Sequence, residues 1–545
     1  MNQNIRSDLT EYGVLIARID MPGRTMNVFS VDMMDSLEHL LRRVESDEAV
    51  RAVVLTSAKQ AFLAGADLDM IRTFTERART DGREQLDALC GRLGRLFRRL
   101  ELSAKPFVAA INGLALGGGL EVCLACHARL VADQENLALG LPEIKLGLLP
   151  GAGGTQRLPR LIGARLGLEM LLAGEPLTPA RALACGLVDQ VVAPENLLDA
   201  AIARARALVL QPRSAPWDRP RAHFECDPFD FSATDAHARI AAEFGLGEAL
   251  LSRYPAYRAI VDCVVDGWDL PMDEACNWEM SCFVRLIQNP VAGNLVRTLF
   301  LERQRAAKQS PLELDASATR VAVVGPKGAD LERQLGLGKA PLTTASELTD
   351  RDIVVVMPPR RAERGIGVAW LAGVAGDAAQ AIAACGARAG VWLADSSEHG
   401  MGLEVFLPFD DPQARDAGVL LARWLRASVL LTRGKRPLLP ALHAAQAAAR
   451  AAGCGEDEQA LAVALAAADI WSGGGIDDLA MADVAAVLAG VHPSYTGGPF
   501  NFLRQHGFSE LAAGAALAAS RDRELFRLPP CLPTLCGQVS RPEAA

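Results

Sequence analysis

Two glutamates carry the clearest chemical potential in this chain. Glu121 follows the run Gly117-Gly118-Gly119, and Glu143 stands 22 residues further on in Leu141-Pro142-Glu143. Two short small-residue segments accompany them. Ala64-Gly65-Ala66-Asp67 comes after a β-rich run, and Gly151-Ala152-Gly153-Gly154 opens a later helix. Small residues let backbone amides approach a ligand closely. A glycine run ahead of a helix aims N–H groups and the positive helix end at whatever lies in front. These are the parts that hydration of an enoyl thioester requires: carboxylates to hold water against C3 and deliver a proton to C2, and amide donors for the charge that builds on the thioester oxygen. No metal or nucleophilic side chain is needed. Each part alone has a plainer reading, the loops as tight turns or phosphate cradles and the glutamates as salt-bridged residues. Their order and spacing together are more specific.

The elements that must position these residues alternate along the first ~195 positions, which predicts an α/β domain with crossover connections. Val14–Asp20, Ala52–Ser57 and Phe107–Ile111 read as strands. Ser30 is a candidate N-cap with Asp32 in the first turn, although Met33 stands where a full capping box would need Glu or Gln. Asp87–Leu102 reads as one amphipathic helix, and Leu120–His127 as a buried helix with Glu121 on its first turn. Residues ~196–310 read as long helices, interrupted by a proline- and aspartate-rich connection over Gln211–Asp230. Strand signals return at Val321–Gly325 and Asp352–Val356. The chain is Ala-rich and helical from about Leu438, and irregular from Pro529. No internal repeat is visible.

Three long motifs, in order, carry a family resemblance. They are Ala61-Phe62-Leu63-Ala64-Gly65-Ala66-Asp67-Leu68, Ile111-Asn112-Gly113-Leu114-Ala115-Leu116-Gly117-Gly118-Gly119-Leu120-Glu121, and the segment from Leu141 through Glu143, Gly151 and Arg157 to Pro159. In them, residues ~10–195 closely resemble the crotonase (enoyl-CoA hydratase/isomerase) superfamily. The resemblance implies an acyl-CoA substrate, an oxyanion hole from the N–H groups of Ala66 and Gly118, and a CoA site lined by Ala64, Gly65, Ala66, Asp67 and Leu68. It implies that Glu143 donates the proton to C2 while Glu121 holds and activates the water, with the two titrating as a pair. Members that only shift a double bond typically need one acid/base, so the presence of both carboxylates favours hydration. It also implies assembly as a homo-oligomer or with a thiolase subunit.

The rest of the chain resembles, more diffusely, the back half of multifunctional β-oxidation enzymes, where an NAD-dependent 3-hydroxyacyl-CoA dehydrogenase follows a linker helix. Pro255-Ala256-Tyr257, Leu270-Pro271, Glu274 and the run from His492 to Phe500 carry the likeness. The expected architecture is therefore a crotonase (ββα spiral) domain over residues 1–195, a helical extension and linker over 196–317, a truncated Rossmann-like domain over 318–437 and a helical domain over 438–545.

Departures from that pattern predict a degenerate dehydrogenase half. A dinucleotide fingerprint wants glycines at its first, third and sixth positions, and the chain has Gly325-Pro326-Lys327-Gly328-Ala329-Asp330. Lys327 puts a side chain where backbone should meet the pyrophosphate. Asp330 puts a negative charge near the helix start. At effective dielectric ~20 and ~4–5 Å, its repulsion of a phosphate is about 3–4 kcal/mol, which weakens binding roughly a hundredfold or more. Asp352–Val356 begins only 27 residues after Gly325, too soon for a full βαβ half with its ribose-binding acid. The family's catalytic His sits in His-Phe-Phe-Asn-Pro and pairs with a Glu. Here His399 lacks that context and reads rather as a surface or capping histidine, while Glu404 either matches the Glu that follows the stretch or resembles it by chance. Hydration needs no cofactor, and NAD binding is expected to be impaired.

Bulk properties exclude other classes. With 56 Lys+Arg against 65 Asp+Glu the formal charge is −9 and no basic face stands out, which argues against nucleic acid. Met1 to Gly13 lacks a secretory pattern, and Ala460 to Trp471 is too short to span a bilayer. A cytoplasmic protein is expected. Of the 12 cysteines, Cys123 and Cys126 form an isolated CxxC that reads as packed thiols rather than a zinc site. Three rivals stand beside the hydratase: a true bifunctional hydratase–dehydrogenase, an isomerase on the same fold, and a non-catalytic scaffold.

Overall fold

The computed structural model describes residues 4–210, 215–219, 224–308, 312, 314–315, 317–325, 328–371, 378–396 and 400–537. It divides into two compact units, residues 1–296 and 297–545. Each is described by itself.

The first unit is built on a six-stranded sheet. Its strands are β1 (Ile5–Leu9), β2 (Val14–Ile19), β3 (Ala52–Ser57), β4 (Phe107–Ile111), β6 (Ala128–Ala132) and β8 (Gln190–Val192), side by side in that order. A separate pair joins β5 (Ala115–Leu116) to β7 (Leu139–Gly140). Apart from the antiparallel β1–β2 pair, every neighbour is parallel. Parallel strands covered on both faces read as unbroken apolar runs, and β3, β4 and β6 are buried at every position. The strand β1 was not anticipated, because only Ile5 of its five residues is buried and the rest, polar except for the exposed Leu9, lies at the sheet edge.

Local chemistry sets the crossovers. Ser30 caps the Val31–Ser46 helix as expected, its hydroxyl accepting from the Met33 N–H at 3.2 Å. The expected single helix over Asp87–Leu102 is instead two, Arg83–Cys90 and Arg92–Glu101, hinged at Gly91. Beyond β8 the unit is helical. The helices Pro255–Gly267 and Met272–Gln288 pack on the Gly154–Ile162 helix.

The second unit holds β9 (Val321–Val324), β10 (Ile353–Val356), β11 (Ile366–Trp370), β12 (Ala389–Ser396), β13 (Gly400–Leu407) and β14 (Ser428–Arg433), adjacent in plain sequence order. The first four are parallel, β13 runs antiparallel to β12, and β14 is parallel to β13. A doubly wound dinucleotide fold reverses its strand order, and the crevice at the reversal takes the ligand. Here the named strands run in sequence order, and the one reversal falls at β9, where the chain passes Leu342 on the outer side before crossing to β10. The outer edge of β9 carries only an isolated bridge, Val321 to Leu342. The early strand expected to be missing is reduced to that single contact. The helices Leu438–Ala451, Glu456–Ser472, Leu479–Leu488 and Pro499–Ala518 follow. The tail, expected to be irregular, contains a short helix at Leu532–Leu535. No helix among the described residues is long and apolar enough to cross a membrane.

Candidate active site

Glu121 lies on the first turn of the Gly118–Ala125 helix, every residue of which is buried. Its carboxylate Oε1 accepts two backbone hydrogen bonds, from the N–H groups of Ala152 and Gly154, each at 2.8 Å. These amides belong to the glycine loop that opens the Gly154–Ile162 helix, so the positive helix end faces an anion. Burial pushes the Glu121 carboxyl up to about 6, and the two amides and then Arg157 oppose that rise.

Glu143 opens a short 3₁₀ turn, Glu143–Leu146, just after β7. Its Oε2 is buried with no hydrogen-bond partner among the described residues. Burial, and then the charge of Glu121, raise its carboxyl well above the ordinary range. Gly117 makes room for it. That residue sits at φ +53°, and a Cβ there would meet Glu143 Oε1 at 2.6 Å. The two glutamates thus sit in different surroundings: two amides favour the charged form of Glu121, while burial and the charge of Glu121 disfavour the charged form of Glu143.

Among the described residues, the two amides expected to form an oxyanion hole are unengaged. The bridge between Phe29 and Ala66 uses the Gly65 carbonyl and the Asp67 N–H, at 2.8 Å each, leaving the Ala66 N–H without a partner. Gly118 is the first residue of its helix, where an N–H has no acceptor in a preceding turn. The helix's first bonds run from Leu120 and Glu121 to the Gly117 carbonyl. Close approach of the two loops depends on Gly119, whose Cβ would fall 2.2 Å from the Leu63 carbonyl oxygen.

The expected CoA loop is partly committed elsewhere. Ala64 donates its N–H to the Asn27 carbonyl at 2.9 Å. Asp67 is buried and caps the Leu68–Arg77 helix, its Oδ1 accepting from the Asp69 N–H at 2.8 Å while Oδ2 pairs with Arg24. Gly65 adopts φ +87°.

A third carboxylate, Glu279 on the Met272–Gln288 helix, was not anticipated. It is 1% exposed. It accepts the Gly153 N–H at 2.6 Å, the Thr155 N–H at 2.9 Å and the Thr155 hydroxyl at 2.5 Å. Burial and then the charge of Glu121 push its carboxyl up to about 8, against the pull of those donors. One signal was present in the sequence. Glu279 falls on the buried stripe Met272, Ala275, Cys282, Phe283 and Leu286, where an acid is out of place unless it has partners.

A buried ion pair backs the loop. Arg157 is fully buried, chelates Glu101 at 2.8 and 3.0 Å, and donates to the Ala152 carbonyl at 2.9 Å. Cys123 and Cys126 are packed thiols. Cys123 Sγ donates to the Gly119 carbonyl at 3.1 Å, and burial pushes the Cys126 thiol up to about 12.

In the second unit three of the expected dehydrogenase residues, Gly325, Gly328 and Glu404, fall among the described residues. His399 lies outside the described residues. Glu404, on β13, is fully buried and spent on structure. It accepts the Thr432 hydroxyl at 2.5 Å and the Leu438 N–H at 2.6 Å on Oε1, and the Leu439 N–H at 2.7 Å on Oε2. It anchors the start of the Leu438–Ala451 helix. Gly325 is pressed against Met357, where a Cβ would come within 2.5 Å. Gly328 opens the Gly328–Leu337 helix, and Asp330 in its first turn is exposed and 3.5 Å from Arg333.

Residues 11–216 match the enoyl-CoA hydratase/isomerase family. The fatty acid oxidation complex subunit alpha of Idiomarina loihiensis is 36% identical over 326 residues, covering 58% of this chain and 44% of that protein. The subunit of the same name from Shewanella baltica (strain OS185) is 35% identical over 333 residues, covering 61% of this chain and 45% of its own length. The chain thus spans about half the length of the curated relatives it matches. Among solved structures, an enoyl-CoA hydratase from Bacillus anthracis is 28% identical, with 52% of this chain and 90% of that chain covered at a TM-score of 0.35.

Proposed function

From the enoyl-CoA hydratase/isomerase domain at residues 11–216, we propose that this chain adds water across the double bond of 2-enoyl-CoA thioesters, and that its second unit transfers no hydride. The observation that carries the reading is the unequal setting of the two glutamates. Two amides favour the charged form of Glu121, while Glu143 has one buried oxygen with no partner among the described residues and is pushed toward its protonated form by burial and the charge of Glu121. A base and an acid side by side are what hydration uses. A single acid/base would suffice for a double-bond shift.

The thioester oxygen accepts from the Ala66 and Gly118 amides. Water rests on Glu121, which takes one of its protons as the oxygen bonds to C3. The π electrons move toward the thioester oxygen, where the two amides stabilise the enolate. Glu143 then delivers its proton to C2. Glu121 ends protonated and Glu143 ionised, so the proton must pass between them before the next turnover.

For the second unit the support is topological and chemical. The early strand on the outer side of β9 is reduced to one bridge at Leu342, Asp330 stands in the first turn of the helix that Gly328 opens, and both oxygens of Glu404 are consumed. The scaffold is retained for a structural role.

The test is product identity. A panel of 2-enoyl- and 3-enoyl-CoA substrates of different chain lengths is incubated with the protein and analysed by mass spectrometry. The proposal expects 3-hydroxyacyl-CoA from 2-enoyl substrates. Interconversion of the two enoyl isomers without hydration would replace it with the isomerase reading.

A further inference from the structure

The loop Ala152–Thr155 presents four successive backbone N–H groups, and two carboxylates divide them alternately. Glu121 takes those of Ala152 and Gly154, and Glu279 takes those of Gly153 and Thr155. The two acids come from distant parts of the chain. Glu121 belongs to the helix that follows β5, and Glu279 to a helix more than a hundred residues later in the chain. The Thr155 hydroxyl adds a third donor to Glu279 at 2.5 Å.

Alternation of this kind ties the two carboxylates together mechanically. Successive amides point to opposite sides only while the loop keeps one conformation. Gly153 holds that conformation at φ +98°, and Arg157 braces it through the Ala152 carbonyl. Were the grip on Gly153 and Thr155 released, the loop could rotate, and the Ala152 and Gly154 amides would leave Glu121. A buried acid normally comes at a cost that burial of an apolar side chain would avoid. At this position on an apolar helix stripe, Glu279 therefore calls for a role that a leucine would not fill.

Resting on the hydratase reading above, we propose that Glu279 is a positioning residue of the site: by gripping the alternate amides of the Ala152–Thr155 loop, it fixes the conformation in which that loop presents Glu121 to water. Glu279 touches neither substrate nor water itself. It acts through the loop, so its loss lowers turnover and leaves substrate binding nearly unchanged.

The experiment compares the full chain with Glu279→Gln, Glu279→Asp and Thr155→Val. Crotonyl-CoA hydration gives kcat and KM, and hydrogen–deuterium exchange reports on the loop. Glu279→Gln keeps the side-chain volume and removes an acceptor. It should lower kcat about 30-fold with KM within about threefold, and speed exchange in the peptide spanning residues 150–158 at least about tenfold, with β2, β3 and β4 unchanged. Glu279→Asp should recover part of kcat. Thr155→Val, which deletes one donor and spares the backbone, should lower kcat about three- to fivefold, and it carries the test should Glu279→Gln fail to fold. Unchanged kcat in a folded Glu279→Gln protein would overturn the proposal. So would exchange that rises equally throughout the first unit, since that is what loss of a merely structural residue gives. Failure of the wild type to hydrate any enoyl-CoA would count against the hydratase reading instead. In that event, faster exchange confined to the loop would still support the grip, and unaltered exchange would overturn it.

Discussion

Glu121 and Glu404 perform the same structural task in the two units. Each is a fully buried carboxylate that accepts backbone N–H groups at the start of a helix. They differ in what remains after the helix is anchored. Both bonds to Glu121 fall on one oxygen, and the group shares its surroundings with Glu143 and Glu279, whose proton affinities it raises. Glu404 spends both oxygens on Thr432, Leu438 and Leu439, and its shift is burial opposed by those donors. Anchoring a helix and carrying out proton transfer are compatible until every acceptor is used. On the proposed reading, the first unit keeps reactive capacity on its support, and the second keeps the support.

The comparison breaks most sharply at the two glutamates. Glu143→Gln and Glu121→Gln should each reduce the hydration rate about 10²–10⁴-fold, the usual range for a general acid or base. Steady-state kinetics on crotonyl-CoA checks this, and a loss under tenfold in either would remove that residue from proton transfer. Gly117→Ala should follow with a loss of about 10–100-fold. Its backbone is at φ +53°, and the new methyl would crowd Glu143 Oε1 at 2.6 Å.

pH dependence sharpens the assignment of roles. Hydration needs Glu121 ionised, so log kcat/KM, which reports the free protein, should fall by about one per pH unit below about 6. It needs Glu143 protonated, so a second decline should appear on the alkaline side, above the ordinary carboxylate range. Glu143→Gln should abolish that alkaline decline, leaving the residual rate flat. Linkage adds a stability signature. Glu279 is raised in the fold from the ordinary 4.5 to about 8. The unfolded chain ionises first as pH rises, so the fold loses stability from about 4.5 up to about 8 and then levels off. In chemical denaturation of the full chain, Glu279→Gln should flatten that slope.

The second unit supplies the smallest effects on activity. Glu404→Ala leaves two amides and a hydroxyl buried without an acceptor, at about 1–3 kcal/mol each before relaxation. It should lower the unfolding midpoint of the full chain while hydration stays within about twofold. Titration with NAD should show no saturable binding below about 1 mM, and Asp330→Asn should leave that result unaltered, since removing the charge does not rebuild the strand reduced to one bridge at Leu342.

Much of the site was legible because its parts are local. Ser30, Glu121, Glu143 and the glycine loops sit in short segments whose turn and capping chemistry shows in neighbouring residues. β3 and β4 announced themselves as β-branched apolar runs with the ends observed. Elements defined by long-range pairing were less legible. β1 is polar because it lies at an edge, and β11 to β14 follow one another without a motif. Glu279 meets its loop only through packing of a helix over a hundred residues away, so local sequence could signal only an acid on an apolar stripe. The role of Glu404 likewise depends on Leu438 and Leu439, brought near by the turn after β14.

The most direct test of the account is one incubation of the purified full chain with crotonyl-CoA and NAD in ¹⁸O-labelled water, followed by mass spectrometry of the acyl-CoA and by absorbance of NADH. The account predicts 3-hydroxybutyryl-CoA carrying a single ¹⁸O and no NADH. Unlabelled or unhydrated product would contradict hydration at Glu121 and Glu143, and NADH formed at an enzymatic rate would contradict the silence of the second unit.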